Sequence, residues 1–175
     1  MRLGLDFFTR DVLDVAPDLV GVQLVRAFPN GHIERFTVSE VEAYRGEDDL
    51  ACHACKGKTQ RTSVMYMQGG VTYVYLIYGM HWMLNVVTGP KDFPQAVLIR
   101  GVLGCEGPGR VGRLLEIDKS FNGVDITGSN QIWFESGESV PNIKTGPRIG
   151  VNYAGLYWAN MPWRFWIAKV DNVLK

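Results

Sequence analysis

Residues 71–78 read Val-Thr-Tyr-Val-Tyr-Leu-Ile-Tyr, an uncharged run of β-branched, aromatic and aliphatic side chains. Such side chains fit a pleated surface, so this segment must be a strand. Gly79 and Met80 break it, residues 81–88 supply a partner, and Tyr78 is left at the tip of the resulting hairpin. A tip aromatic has little core to fill. It is either a partly covered surface residue or a wedge pushed between base steps, the use that minor-groove binders make of exposed apolar side chains. Asn85, inside the apolar second arm, needs hydrogen-bond partners, either as a satisfied core amide or as one lining a pocket.

A second hairpin precedes this one. Residues 20–28 read as a strand, Pro29-Asn30-Gly31 as a turn and residues 33–44 as the returning strand. The returning arm ends in Val-Ser-Glu-Val-Glu-Ala-Tyr, residues 38–44, an odd place for two acids. Strict alternation puts Phe36, Val38, Glu40, Glu42 and Tyr44 on one face and Thr37, Ser39, Val41 and Ala43 on the other. The acids then stand roughly 7 Å apart along the strand. A buried carboxylate without partners is costly, so this face must meet water, a cation or a ligand. An edge strand with solvated acids is the plainer alternative. Residues 96–102 form a further strand whose Arg100 will seek a carboxylate, Glu40 or Glu42 being the natural candidates.

The remaining segments serve these strands. Residues 6–19 look helical but broken, with Thr9 or Asp14 as N-cap and Pro17 tolerable only near a helix start. Residues 45–62 form a loop of a length that is usually functional. It carries Cys52-His53-Ala54-Cys55, then Lys56, Lys58 and Arg61. Two thiols and one awkwardly placed histidine do not complete a tetrahedral zinc site, and no second pair follows, so no metal is expected and His53 is given a polar or stacking task. Gly107-Pro108-Gly109-Arg110 opens a short helix to about Ile117. Residues 131–135 are a strand, 136–144 an exposed loop, and 163–170 a closing strand, with Tyr153, Trp158, Trp163 and Trp166 assigned to the core. The expected fold is α+β: a single domain over residues 1–175, with a curved, mostly antiparallel β-sheet, surrounding helices and a protruding β-hairpin.

Lysine plus arginine, 18, equal aspartate plus glutamate, 18, so overall charge points to no partner. A nucleic-acid binder would have to gather its basic residues locally, and Lys56, Lys58, Arg61, Arg110 and Arg148 are the candidates. No apolar run is long enough for a membrane span and no signal-peptide plan opens the chain, so a cytosolic protein without membrane partners is expected. Three cysteines imply reduced thiols rather than a disulfide framework.

Taken in order, Glu40-Val41-Glu42-Ala43-Tyr44, His53, Tyr73-Val74-Tyr75-Leu76-Ile77-Tyr78-Gly79-Met80, Asn85, Leu98-Ile99-Arg100-Gly101, Gly107-Pro108-Gly109-Arg110 and Pro147-Arg148-Ile149-Gly150-Val151 resemble one family, the alkyladenine (3-methyladenine, methylpurine) DNA glycosylases. The resemblance runs from about Leu13 to Asp171, and the ordered set is far more specific than any one motif. It implies a monofunctional, cofactor-free monomer acting in base excision repair on double-stranded DNA with damaged purines. Such an enzyme is cytoplasmic, nucleoid-associated if bacterial, or nuclear. It would flip 3-methyladenine or 7-methylguanine out of the duplex, with hypoxanthine and ethenoadenine as further candidates, and hydrolyse the N-glycosidic bond to leave an abasic site.

By the same resemblance Glu42 is the general base that activates water, and Arg100 and the Val151 carbonyl help to hold that water. Tyr44, His53 and Tyr75 stack on the flipped base, Asn85 discriminates against guanine, and Tyr78 is the wedge. Asn152 stands where many relatives have glycine, Cys52 and Cys55 flank His53 where other residues are more usual, and Gln60 replaces an expected proline. Two other classes remain open at this point: a non-catalytic nucleic-acid-binding module with tyrosine platforms, and a zinc hydrolase or deaminase built on Cys52, His53 and Cys55.

Overall fold

The returning arm of the first hairpin is the longest strand and joins the two halves of the sheet. The computed structural model describes residues 1–168. Helices α1 (Leu5–Phe8) and α2 (Val12–Leu19) lead into strands β1 (Gln23–Ala27) and β2 (Ile33–Arg45). Strands β3 (Thr72–Ile77), β4 (His81–Val87), β5 (Gln95–Val102) and β6 (Cys105–Glu106) follow, then helix α3 (Pro108–Leu114). Strands β7 (Ile132–Glu135) and β8 (Ile143–Gly146), helix α4 (Gly155–Ala159) and strand β9 (Arg164–Ile167) complete the described chain.

Among the described residues the nine strands form one sheet in the order β3-β4-β5-β2-β1-β7, with β6 on β5, β9 on β2 and β8 on β9. Every pairing is antiparallel. The architecture is therefore the expected α+β fold. Expected strand bounds hold to within three residues at each end, apart from the last strand, whose expected residues 169 and 170 lie outside the described residues. The stretch 136–144, expected as loop, gives its last two residues to β8. No described helix is long and apolar enough to cross a membrane.

Three local expectations are corrected. The N-cap of α2 is Asp11, not Thr9 or Asp14: its side chain accepts from the Leu13 amide, while Thr9 closes α1 from behind. Asp11 also takes a forked pair from Arg45 at 2.7–3.1 Å, a long-range partner that local spacing does not reveal. Pro17 lies inside α2 rather than at its start. The helix runs through it because Val12, Val15, Ala16 and Leu19 are fully buried, and each of the two valines and the leucine contributes about 1.5–3 kcal/mol on leaving water.

The third correction concerns β2. Its pairing with β5 slips between Val38 and Glu40 and again between Glu40 and Val41. The first slip passes over Ser39 on β2 and the second over Arg100 on β5, so each strand carries one extra residue, the register is recovered at Val41 and Ile99, and the alternation of β2 inverts across the slip. Phe36 and Val38 join the core together with Val41 and Ala43, so the first two do not share a face with Glu42 and Tyr44. Unbroken alternation would bury one of these pairs and expose the other, whereas the bulge buries both and still aims the acids away from α2.

Candidate active site

The sheet face opposite the main core opens into a cavity of about 320 Å³, within the range of small-molecule sites. Glu42, Tyr44, His53, Tyr75, Tyr78, Asn85, Arg100 and Val151 all line it. They arrive from β2, the 53–56 turn, the β3–β4 hairpin, β5 and the segment before α4, and the fold brings together every site residue that the sequence suggested.

Glu42 is fully buried. Its Oε2 accepts from the Tyr44 hydroxyl at 2.7 Å, and its Oε1 accepts from the Ile149 amide at 2.7 Å and stands 3.5 Å from Arg100 Nε. An ionised carboxylate offers about four lone-pair sites, so these partners leave at least one free on Oε2. Burial lifts the Glu42 carboxyl above the ordinary value of 4.5, and Arg100, the Ile149 amide, Tyr44 and Arg148 pull it back without cancelling the rise. Glu42 is thereby a carboxyl group of raised basicity whose charged form is favoured by four neighbours against the cost of burial. Burial and the Glu42 charge push the Tyr44 hydroxyl well up, which keeps it a donor.

The other walls are aromatic. The rings of His53 and Tyr75 meet edge-on with centroids 4.5 Å apart, and His53 Nδ1 is hydrogen-bonded to the Tyr73 hydroxyl at 3.0 Å. Burial and then the Arg61 charge pull His53 down to about 4, so it is neutral at physiological pH. The Arg61 guanidinium sits 5.4 Å from the Tyr75 ring centre. Asn85 is buried, its Nδ2 donating to the carbonyls of Tyr73 at 3.1 Å and Met83 at 3.4 Å. The Val151 carbonyl accepts from the Ala154 amide at 3.0 Å, leaving one lone pair for another donor. Asn152 needs no glycine-like backbone here, since the positive φ values nearby fall at Gly150 and Gly155.

A buried ion pair anchors this rim. Arg148 donates to both carboxylate oxygens of Asp49 at 2.6 and 2.9 Å and to the carbonyls of Ala43 and Trp158, and it lies 4.8 Å from the Tyr44 ring centre. Arg148 is thus not the surface cation expected for DNA; Lys56, Lys58, Arg61 and Arg110 are exposed. The Cys52 thiol is buried and pushed up to about 12 by that burial, and among the described residues no group of three or more histidine, cysteine or acidic residues could hold a metal.

At the outer edge, Met80 N donates to Ile77 O at 3.1 Å, closing a turn whose central residues Tyr78 and Gly79 have φ of +54° and +65°. That is the handedness favoured at hairpin tips. Tyr78 is 84% exposed and Met80 63%. Two contributors escaped the sequence. Tyr153, expected in the core, is 72% exposed and lines the cavity; the turn at residues 152–154 holds it there, its hydroxyl donating to the Ala51 carbonyl at 3.2 Å. The Ile149 amide is a backbone donor, and no side-chain pattern marks one.

The family model described as methylpurine-DNA glycosylase matches residues 6–104 and 103–171. Among individual relatives, a protein of Methanocella arvoryzae is 42% identical over 94% of this chain and 91% of its own. One from Borreliella burgdorferi is 45% identical over 92% and 93%, and one from Sodalis glossinidius 42% identical over 93% and 95%. All three are provisionally named 3-methyladenine DNA glycosylases. Matched from the first helix to beyond the last described strand, the chain belongs to the methylpurine-DNA glycosylase family.

Proposed function

We propose that the protein acts as a monomer and a single domain over residues 1–175, extruding an alkylated purine from duplex DNA into the cavity and hydrolysing its N-glycosidic bond with a water activated by Glu42. Family membership makes it a DNA glycosylase, a hydrolase of N-glycosyl bonds. The observation that carries the finer reading is a fully buried carboxylate with an unfilled acceptor position at the base of an aromatic cavity. Tyr44, His53 and Tyr75 offer stacking faces to a ring made electron-poor by alkylation, worth about 0.5–2 kcal/mol per cationic contact. A neutral His53 adds no positive charge against such a cation. Tyr78 fills the space vacated in the helix. Extrusion costs a few kcal/mol and least at damaged pairs, which favours them from the outset.

In the chemical step the C1′–N bond breaks with its electron pair passing to the purine, water adds to C1′, and Glu42 takes the proton. The carboxylate also stabilises the positive charge that develops on the sugar. A purine that already carries positive charge leaves as a neutral base and needs little acid assistance, so 3-methyladenine and 7-methylguanine are the primary substrates, with hypoxanthine and ethenoadenine as slower ones. Arg100 and the Val151 carbonyl orient the water.

Glu42→Gln tests this reading. The variant is expected to bind alkylated duplex as the parent does and to lose base release by at least about 10²-fold, within the range for a general base. Free base and abasic sites are the quantities to measure, and normal release by the variant would refute the assignment. Because the Glu42 carboxyl is raised, the rate should fall as pH drops through a value above 4.5.

A further inference from the structure

We propose that Glu40 and Arg164 are positioning residues for base excision: as a pair they set where the Arg100 guanidinium stands and anchor the backbone that presents the Ile149 amide to Glu42. The inference rests on the reading of Glu42 as the base. Glu40 is not among the cavity-lining residues, so any effect it has must pass through its neighbours.

Those neighbours are specific. Glu40 Oε1 accepts from Arg100 Nε at 3.3 Å and from an Arg164 terminal nitrogen at 3.1 Å. Arg164 Nε donates to the Pro147 carbonyl at 2.8 Å, and its guanidinium lies 4.0 Å from the Trp166 ring centre. Strand β9 runs in register with β2, placing Arg164 opposite Glu42 and Trp166 opposite Glu40. Two of the contacts that hold Glu42, Arg100 and the Ile149 amide two residues after Pro147, therefore lead back to Glu40.

The groups facing Glu42 show what this arrangement does. Tyr44 comes from its own strand, Tyr75 from β3, Arg100 from β5, and Arg148 with the Ile149 amide from the segment after β8. Arg164, on β9, is turned to Glu40 instead. Arg100 Nε is nearer Glu40 than Glu42, at 3.3 against 3.5 Å. A guanidinium freed from Glu40 would close on Glu42, occupy its open acceptor position and weaken it as a base. With side chains only 14–22% exposed, the pairs of Glu40 with Arg100 and Arg164 hold the guanidinium groups in fixed places, and a test must keep the hydrogen bonds while removing the charge so that geometry and folding are read separately.

The test uses the full chain with Glu40→Gln, which keeps the shape and the acceptor oxygen and removes the charge, and separately Arg164→Lys, which keeps the charge and loses the fork to Glu40 and Pro147. Single-turnover release from alkylated duplex, DNA affinity, melting temperature and a carbon-13 titration of the Glu42 carboxyl are measured for each. Glu40→Gln is expected to leave the chain folded with affinity in place, slow release about 10-fold or more, and move the Glu42 titration and the acid limb of the rate profile down by about one pH unit. Arg164→Lys is expected to slow release at unchanged affinity. Wild-type rates and an unmoved Glu42 titration in Glu40→Gln would overturn the inference, as would a rate loss matched by lost melting temperature with the titration in place. Should Glu40→Gln fail to fold, a wild-type release rate in Arg164→Lys overturns it alone. A wild type that releases no base refutes the function reading, whereas the titration still decides on Glu40.

Discussion

Tyr78 carries a side chain where the backbone prefers none. Its φ of +54° costs an L-residue roughly 1–2 kcal/mol relative to glycine, and with the ring 84% exposed little packing offsets that cost. Asparagine tolerates this conformation and is favoured next to glycine in such turns. Tyr78→Asn is expected to raise stability by about 0.5–1 kcal/mol, or about 1–4 °C in melting temperature for a chain of this size, while weakening binding to damaged duplex and slowing release. A variant that loses stability, or gains it with activity intact, would contradict the assignment of Tyr78 as a wedge held under strain. Residues of this kind were legible in the sequence because their side chains are out of place: an acid in a strand, an aromatic at a tip, an amide in an apolar run. Tyr153 and the Ile149 amide were not. A tyrosine near three tryptophans looks like core, and a backbone N–H has no residue type.

The segments bearing His53 and Val151 have little regular structure, and the Arg148–Asp49 pair joins them. Asp49 also accepts from the Arg45 and Ala51 amides, so one buried carboxylate fixes the start of the first segment and the base of the second. Removing one member of a buried, hydrogen-bonded ion pair strands the other charge, at a cost of about 3–5 kcal/mol. Arg148→Met is expected to lose that much by denaturant unfolding, together with most activity, and the double change Arg148→Met, Asp49→Leu should recover a large part of the stability. Equal losses in single and double variants would show that the hydrogen bonds to Ala43 and Trp158 matter more than the charges. The strands themselves were legible from β-branched and aromatic runs bounded by turn residues. The ion pair was not, because its partners lie 99 positions apart and an arginine in a loop looks like a surface cation. Nor was the bulge, since one extra residue on each of β2 and β5 leaves every local propensity unchanged.

For the molecule as a whole, equal numbers of acids and bases mean that attraction to DNA must come from where the cations stand. Lys56 and Lys58 follow His53, Arg61 covers Tyr75, and Arg110 follows the cavity-lining Pro108. The salt dependence of binding should accordingly be modest, and Lys56→Ala should reduce the slope of log affinity against log salt by about 1 at unchanged substrate preference. An unchanged slope would place the phosphates elsewhere. The overall architecture was readable because alternation and turn signals survive in antiparallel strands, but the route of β2 across both halves of the sheet depends on two matched extra residues, Ser39 on β2 and Arg100 on β5. That match makes the chain unequally tolerant of changes in length. Deleting Ser39 would keep Val41 and Ala43 on the core face by plain alternation but leave Arg100 of β5 without its counterpart, slipping the pairing of residues 41–45 with β5 by one position, whereas a deletion in the exposed stretch at residues 136–142 would be absorbed where it falls. Any lineage that keeps this active site can thus vary the stretch between β7 and β8, but must keep the residue counts of β2 and β5 matched across the bulge.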